Sequence, residues 1–196
     1  PCLLSPCTDE NSRFEDWLPG TNQMLVVTWP AEKYLFLNEN YEDRVNPTVE
    51  TKLQLWDVDK QALIPLVDKA IFGRFSPDGR FLAYQTILPI PQFHIMDFES
   101  RQVLQTFLNA EPILTFWIAG TKVPYLWSPD STRLVFWNPQ GNPTILNVSD
   151  GSQTPLSLSG GERLQNPQWS HDGRFLSLSV QTEAGGETAV LELTEN

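Results

Sequence analysis

A ten-residue phrase that recurs three times is the feature of this sequence that most limits its fold. Each copy opens on an aromatic residue, passes through Ser-Pro-Asp-Gly or a close variant, and continues into an apolar run, at residues 75–84, 127–136 and 169–178. A fourth, less regular copy begins at Trp17 and lacks the Asp. The aromatic residues recur at intervals of roughly 40 to 60 residues, close to the length of a four-stranded propeller blade. The chain is therefore predicted to be a repeat protein.

The centre of the phrase predicts a tight hairpin turn. Pro77 presets φ at the first corner, Asp78 can bond its own backbone, and Gly79 accepts the positive φ that follows. The flanking residues alternate or run apolar and are rich in aromatic and β-branched types, which favours strands over helices. Each turn is thus expected to join two antiparallel strands.

Further strands are predicted downstream of each hairpin. Third strands are expected at residues 53–59, 93–99, 144–150 and 189–193, the first three of which run into polar turns. Short apolar stretches that follow three of them, at residues 62–66, 103–107 and 154–158, predict fourth strands.

The phrase resembles the TolB-like propeller repeats, which also occur in the propeller domains of prolyl-oligopeptidase-type enzymes and read aromatic-Ser-Pro-Asp-Gly-x-x-apolar-Ala-aromatic. The resemblance extends from about Trp17 to the end of the chain and departs at Ser131, at His171 and throughout the first copy. It implies an all-β fold, a β-propeller built of about four four-stranded antiparallel blades. Because they recur at equivalent positions, a structural duty is assigned to Phe75, Asp78, Gly79, Trp127, Asp130, Trp169, Asp172 and Gly173.

The predicted organisation is an N-terminal segment at residues 1–16 followed by propeller repeats at residues 17–196. Blades are expected near residues 17–68, 69–108, 122–158 and 164–196, and the fourth lacks an outermost strand. Residues 2–5 are a candidate to supply that strand and close the ring. The alternatives are that the chain is part of a larger propeller, or that two chains pair as a homodimer into one eight-bladed ring.

Charge and composition exclude several classes of partner. The net charge of −11, with only 13 Lys and Arg, argues against nucleic acid, because a phosphate backbone needs clustered cations. No apolar run approaches the ~18 residues of a membrane span. Cys2 and Cys7 either form a small disulfide loop or stay unpaired, and lipidation is a weaker alternative. The resemblance implies an extracytoplasmic location, periplasmic or cell-surface, while a cytoplasmic one stays open.

The long connectors between predicted strands carry the candidate binding residues. In propeller topology these connectors share one face, opposite the short turns, and insertions collected on one face of a repeat array often mark its binding surface. Burial in the core is an alternative for the two aromatic residues of the set. The candidates are Asn40, Tyr41, Glu42, Asp43, Arg44, Phe116 and Trp117.

No motif of catalysis or of metal binding is found in the sequence. His94 and His171 are the only histidines and lie in no zinc-ligand spacing, and there is no Gly-x-Ser-x-Gly nucleophile elbow. The expectation is a non-enzymatic interaction or scaffold module with a protein or peptide partner and no cofactor. The alternatives are an accessory propeller domain of a larger hydrolase or peptidase, and a propeller that binds a glycan or small ligand.

Overall fold

The computed structural model describes residues 10–30, 50–86, 92–108, 125–138, 140–157, 163–182 and 185–193. Within these residues the regular secondary structure consists of strands, which form four antiparallel sheets. The chain divides into two compact units, residues 1–75 with 79–107 and residues 76–78 with 108–196. Each unit is built around two sheets.

The first unit contains the first and second sheets. The strands of the first sheet, in spatial order, are β1 (Glu10–Trp17), β2 (Gln23–Pro30), β3 (Lys52–Asp57) and β4 (Ala62–Asp68). Those of the second sheet are β5 (Ala70–Phe75), β6 (Phe81–Thr86), β7 (Gln92–Asp97) and β8 (Val103–Leu108). Each sheet is a meander in which sequence neighbours pair, as the repeat predicted.

The second unit contains the third and fourth sheets. The third sheet is formed by β9 (Tyr125–Trp127), β10 (Arg133–Trp137), β11 (Pro143–Asn147) and β12 (Gln153–Pro155). The fourth has three strands among the described residues, namely β13 (Arg163–Trp169), β14 (Phe175–Thr182) and β15 (Gly185–Glu192). These three correspond to the three strands that the sequence predicts for this blade.

The hairpin turns have the backbone geometry that the Ser-Pro-Asp-Gly phrase predicts. Gly79 and Gly173 have φ values of 74° and 71°, and Ser131 adopts a φ of 62° where the phrase has glycine. The Ser128 N–H donates to the Arg133 carbonyl at 2.8 Å, and the Ser170 N–H donates to the Phe175 carbonyl at the same distance. The departure at Ser131 therefore leaves the turn unchanged.

A glycine allows the two sheets of the first unit to pack closely. Gly73 of β5 faces Leu25 and Leu53 of the first sheet, both with no solvent exposure. A Cβ at position 73 would lie 2.6 Å from Cδ2 of Leu25, closer than any real contact. The first sheet thus covers the face of the second sheet that carries Gly73, and a larger residue there would push the sheets apart.

The second unit has a core of aliphatic side chains from both of its sheets. Val135 and Ile145 of the third sheet pack with Leu176, Leu178 and Val180 of the fourth. The indole of Trp169 lies beside this cluster, and its Nε1 donates to the Leu126 carbonyl at 3.1 Å. Arg133 stacks over the same indole, with its Cζ 5.2 Å from the ring centroid.

The first sheet begins earlier than the boundary expected at residue 17. The segment from Glu10 to Trp17 forms β1 and pairs with β2, with a register shift between Phe14 and Asp16. Charged residues occupy positions of this strand that face β5, where a strand normally carries apolar side chains. The usual alternation of apolar and polar residues is therefore missing from its sequence. The candidate closing strand at residues 2–5, with Cys2 and Cys7, lies outside the described residues.

Candidate functional site

The predicted binding residues lie outside the described part of the chain. Asn40, Tyr41, Glu42, Asp43 and Arg44 fall in residues 31–49, and Phe116 and Trp117 fall in residues 109–124. The flanks of the first connector are described, since Glu10 pairs with Pro30 and Thr28 pairs with Lys52. These pairs lie at the end of the first sheet opposite to Gln23 and Asp57, which stand next to its turns.

The repeated Ser and Asp side chains at the turn end bond to each other. Ser76 Oγ donates to Asp78 Oδ1 at 2.5 Å, Ser128 to Asp130 at 2.5 Å, and Ser170 to Asp172 at 2.6 Å. The same geometry at three turns indicates that these aspartates hold the hairpins. None of these serines is arranged as a nucleophile beside a base.

Hydrogen bonds within the turn also set the acidity of these aspartates. The Ser170 hydroxyl and the Arg174 N–H hold the pKa of Asp172 below its usual range. Both groups bond the carboxylate, at 2.6 and 3.1 Å, and so stabilise its ionised form. An aspartate of lowered pKa is a weak base, which suits a structural duty.

The turns between third and fourth strands repeat this pattern with other residues. Asp97 Oδ1 accepts bonds from the Ser100 N–H and hydroxyl at 3.0 and 2.9 Å, and Asn147 Oδ1 accepts from the N–H and hydroxyl of Ser149. In the first sheet, Asp57 accepts from the Lys60 N–H at 3.0 Å and from Lys60 Nζ at 2.9 Å. Polar side chains at this end of the sheets are thus engaged by their own turns.

A shallow cavity of about 580 Å³ lies at the turn end of the first sheet. Gln23 Nε2 donates to Asp57 Oδ2 at 3.0 Å, and Asn22 Nδ2 lies 3.2 Å from Asp59 Oδ2. The bonds from Lys60 and Gln23 lower the pKa of Asp57 to about 2. The polar side chains that line the cavity therefore hydrogen-bond to one another. The lining residues are Gly20, Thr21, Asn22, Gln23, Asp57, Asp59 and Lys60.

A charged cluster joins the first strands of the first two sheets. Arg13 Nε donates to Glu15 Oε1 at 2.6 Å, and a terminal nitrogen of Arg13 donates to the Ile71 carbonyl at 2.6 Å. Asp16 Oδ2 accepts from the Phe75 N–H at 2.9 Å, and Arg74 lies 4.0 Å from the other oxygen of Asp16. These contacts connect β1 to β5 without a shared strand ladder.

Glu15 is the most perturbed acid of this cluster. Burial raises the pKa of its carboxyl to about 7, against the opposing effects of Arg13, Arg74 and the Gly73 N–H. The side chain of Glu15 is only 9% exposed. Analysis of the sequence missed this group because residues 1–16 were assigned to a terminal segment. The sequence carries no clear signal of a strand there, because the adjacent charges of Glu15 and Asp16 interrupt the alternation.

His94 is held between two threonines of the second sheet. Its Nε2 lies 3.0 Å from Thr86 Oγ1, its Nδ1 lies 3.0 Å from Thr106 Oγ1, and its ring stacks on Tyr84 at 4.7 Å. Burial lowers the pKa of His94. Both ring nitrogens of His94 are thus hydrogen-bonded to threonine hydroxyls, and no carboxylate is among these contacts. Such a neutral imidazole has a packing role.

Two further kinds of feature were sought in the described residues. No group of three or more His, Cys, Asp or Glu side chains there is arranged to hold a metal ion. In the same residues there is no helix of the length and apolar character needed to cross a membrane.

No protein-family model and no curated protein sequence matches this chain. Solved structures do resemble it. TolB from Acinetobacter baumannii aligns with a TM-score of 0.56 and 15% identity, over 93% of this chain and 41% of that chain. The β-propeller domain of the Trilobed protease from Pyrococcus furiosus aligns with a TM-score of 0.58 and 13% identity, over 94% and 56% of the two chains.

A prolyl endopeptidase structure also aligns, with a TM-score of 0.59 and 12% identity, over 95% of this chain and 28% of that chain. Identities this low show the fold alone. The protein is all-β with the β-propeller fold, as the repeat predicted. It spans between 28% and 56% of the length of these three proteins.

Proposed function

We propose that this protein is a non-enzymatic β-propeller module that binds a protein or peptide partner through the end of its sheets that bears the long connectors. The observation that carries the proposal is the state of the opposite end. There the polar side chains of the turns, such as Asp57, Asp97 and Asp172, are engaged by bonds within their own turns. These bonds give the turn side chains a structural duty, which leaves the connectors as the candidates for recognition.

The connectors have the composition of a recognition surface. Residues 40–44 include an amide, an aromatic residue and charges of both signs in succession, and Phe116 and Trp117 lie in the connector at residues 109–121. Aromatic residues and arginine contribute most of the binding energy at protein interfaces. A partner with a basic or mixed surface fits the acidic chain best, since the net charge is −11.

A non-enzymatic role is supported by the chemistry of the described residues. Ser76, Ser128 and Ser170 bond the aspartates of their own turns. His94 lies between two threonines, and Glu15 lies against Arg13 and the Gly73 backbone. No pair of these side chains forms a nucleophile with its base. The extracytoplasmic location expected from the resemblance to TolB-like repeats belongs to this proposal as well.

A second candidate is supported by two of the similar structures, which are a protease propeller domain and a prolyl endopeptidase. In this alternative the chain is an accessory propeller of a larger hydrolase, and the catalytic residues lie on another domain. An adjoining hydrolase segment in the same gene would favour it over an independent module.

Site-specific photocrosslinking tests the proposal. A benzoylphenylalanine is placed at Tyr41 or at Trp117 in the chain expressed in its natural host, and control variants carry it at Asn22 or Asp59 in the turn-end cavity. The proposal predicts one discrete protein adduct from the connector positions and none from the controls. Adducts from the turn-end positions only would overturn it.

A further inference from the structure

The position that follows the aspartate in each hairpin turn lies against the turn of the preceding sheet. A Cβ at Gly79 would lie 3.5 Å from Cδ1 of Leu18 and 3.6 Å from Cδ of Pro19, in the turn of the first sheet. A Cβ at Gly173 would lie 3.6 Å from Cδ of Pro129, in the turn of the third sheet. The same arrangement at two turns indicates that this position joins successive repeats.

Ser131 occupies the equivalent position in the third sheet and contacts the turn of the second. Its Oγ accepts a hydrogen bond from the Asp78 N–H at 3.1 Å. Both residues belong to the second unit, in which residues 76–78 are grouped although the strands on either side of them, β5 and β6, belong to the first. Ser131 therefore adds a side-chain hydrogen bond at a point where glycine has no side chain to offer.

The hydroxyl of Ser131 contributes nothing to the shape of its own turn. The Ser131 N–H donates to the Ser128 carbonyl at 3.0 Å, and the Gly173 N–H makes the equivalent bond to the Ser170 carbonyl at the same distance. The φ of 62° at Ser131 lies in the left-handed region, which strains an L-residue but not glycine. Within its own turn, a serine is therefore less favourable than a glycine.

Burial makes the bond between Ser131 and Asp78 important. Ser131 is only 3% exposed, and a hydroxyl at such a position requires a hydrogen-bond partner. Asp78 takes part through its backbone N–H, while its carboxylate accepts a bond from Ser76. The bond thus connects the backbone of one turn to the side chain of the next, so it depends on the shape of the turn at residues 76–78.

We propose that Ser131 links two successive hairpin turns and that this link is the reason why serine replaces the glycine of the repeat. The bond to the Asp78 N–H offsets the backbone strain at position 131 and holds residues 76–78 against the turn of the third sheet. Arg133 links the next pair of turns in a similar way, because its guanidinium donates to the Gly173 carbonyl at 2.9 Å. The departure at Ser131 is then a feature of how the repeats are joined.

Amide hydrogen exchange at Asp78 tests the proposal. Ser131→Ala removes the hydroxyl and keeps the backbone strain, whereas Ser131→Gly removes both. Exchange of the Asp78 N–H, followed by NMR, is expected to become roughly tenfold faster or more in each variant. The Arg174 N–H, which donates to Asp172 in the next turn, is the internal control and should keep its rate.

Thermal unfolding provides a second readout. Gln61→Gly is the matched control, because Gln61 has a φ of 50° at an exposed turn position. Both glycine variants relieve a left-handed side chain, but only Ser131→Gly also loses a buried hydrogen bond. The unfolding midpoint is expected to rise or stay unchanged for Gln61→Gly and to fall for Ser131→Gly.

Two results would overturn the proposal. Exchange at Asp78 that is unchanged in both variants of Ser131 would show that the hydroxyl does not hold this N–H. A Ser131→Gly variant that is stabilised at least as much as Gln61→Gly would show that the serine brings strain without a compensating link. Both measurements concern the turns alone, so their outcome is independent of the binding surface proposed above.

Discussion

The Glu15 carboxylate accepts a 2.6 Å hydrogen bond from Arg13 Nε at a site where both side chains are largely buried. Arg13 also reaches the Ile71 carbonyl, so the pair connects the first strands of two sheets. A buried acid in such a place makes the packing of the first unit depend on its protonation.

Glu15 is expected to add to the free energy of unfolding in mild acid and to lose that contribution as the pH rises. Because the pKa of Glu15 is raised from 4.5 to about 7, the folded state holds a proton that the unfolded state has lost over this range. The contribution is complete below pH 4.5 and disappears as pH rises through 7, with a slope of at most about 1.4 kcal/mol per pH unit.

Urea denaturation between pH 5 and 8.5 measures this contribution. Glu15→Gln should remove the pH dependence specific to this site and be more stable than the wild type at pH 8. Glu192→Gln, at an exposed carboxylate, is the matched control. A wild type and a Glu15→Gln variant whose stabilities run parallel across this range would show that Glu15 does not titrate there.

Ser128→Ala is expected to destabilise the second unit by about 1–3 kcal/mol. Ser128 is fully buried, and its hydroxyl bonds the Asp130 carboxylate and the Arg133 backbone, so its loss removes bonds that hold the turn, one of them to a charged group. Ser149→Ala, at an exposed turn serine, should change the free energy of unfolding by less than about 0.5 kcal/mol. Similar losses in the two variants, measured by chemical denaturation, would contradict this account of the turn.

Gly173→Ala is expected to cost about 1–2 kcal/mol, because an L-residue is strained at the φ of 71° that this turn requires. Gly186→Ala is the matched variant, since a Cβ there meets no atom within 4 Å. Thermal unfolding of both distinguishes strain from a general intolerance of alanine. A tolerated Gly173→Ala would mean that the turn can change its shape.

Gln85→Met is expected to leave stability unchanged or to raise it by about 1 kcal/mol. Neither Oε1 nor Nε2 of Gln85 has a hydrogen-bond partner among the described residues, although the side chain has no solvent exposure. Gln54→Met is the comparison, because Gln54 Oε1 accepts a bond from Thr28 Oγ1 at 3.3 Å. If denaturation shows Gln85→Met to be the more harmful of the two, Gln85 has a bonded partner such as a buried water.

Much of the fold could be predicted because its determinants are local. The hairpin at Gly79 depends on the residue types of its turn, and the strand that ends at Asp97 depends on the pattern of apolar residues. Each of these signals lies within about ten residues of sequence. The same locality explains why the turn at Ser131 keeps its shape, since the strain of a left-handed serine, about 1–2 kcal/mol, is confined to one residue.

The charged cluster and the exposure of Trp17 could not be predicted in this way. Arg13 and Glu15 are buried by a sheet more than fifty residues away in sequence, which no local pattern reports. Trp17 has the sequence of a core anchor, and only the three-dimensional arrangement reveals that half of its surface is exposed. The binding residues proposed at 40–44, Phe116 and Trp117 stay predictions.

The measurement that tests the central claim most directly is the affinity for the partner identified by crosslinking, determined by isothermal titration for four single variants. The account predicts that Tyr41→Ala and Trp117→Ala each weaken binding roughly tenfold or more, about 1.4 kcal/mol, while Asn22→Ala and Asp59→Ala leave the dissociation constant unchanged. Losses confined to Asn22→Ala and Asp59→Ala, with Tyr41→Ala and Trp117→Ala binding as the wild type does, would contradict it and move the binding surface to the turn end.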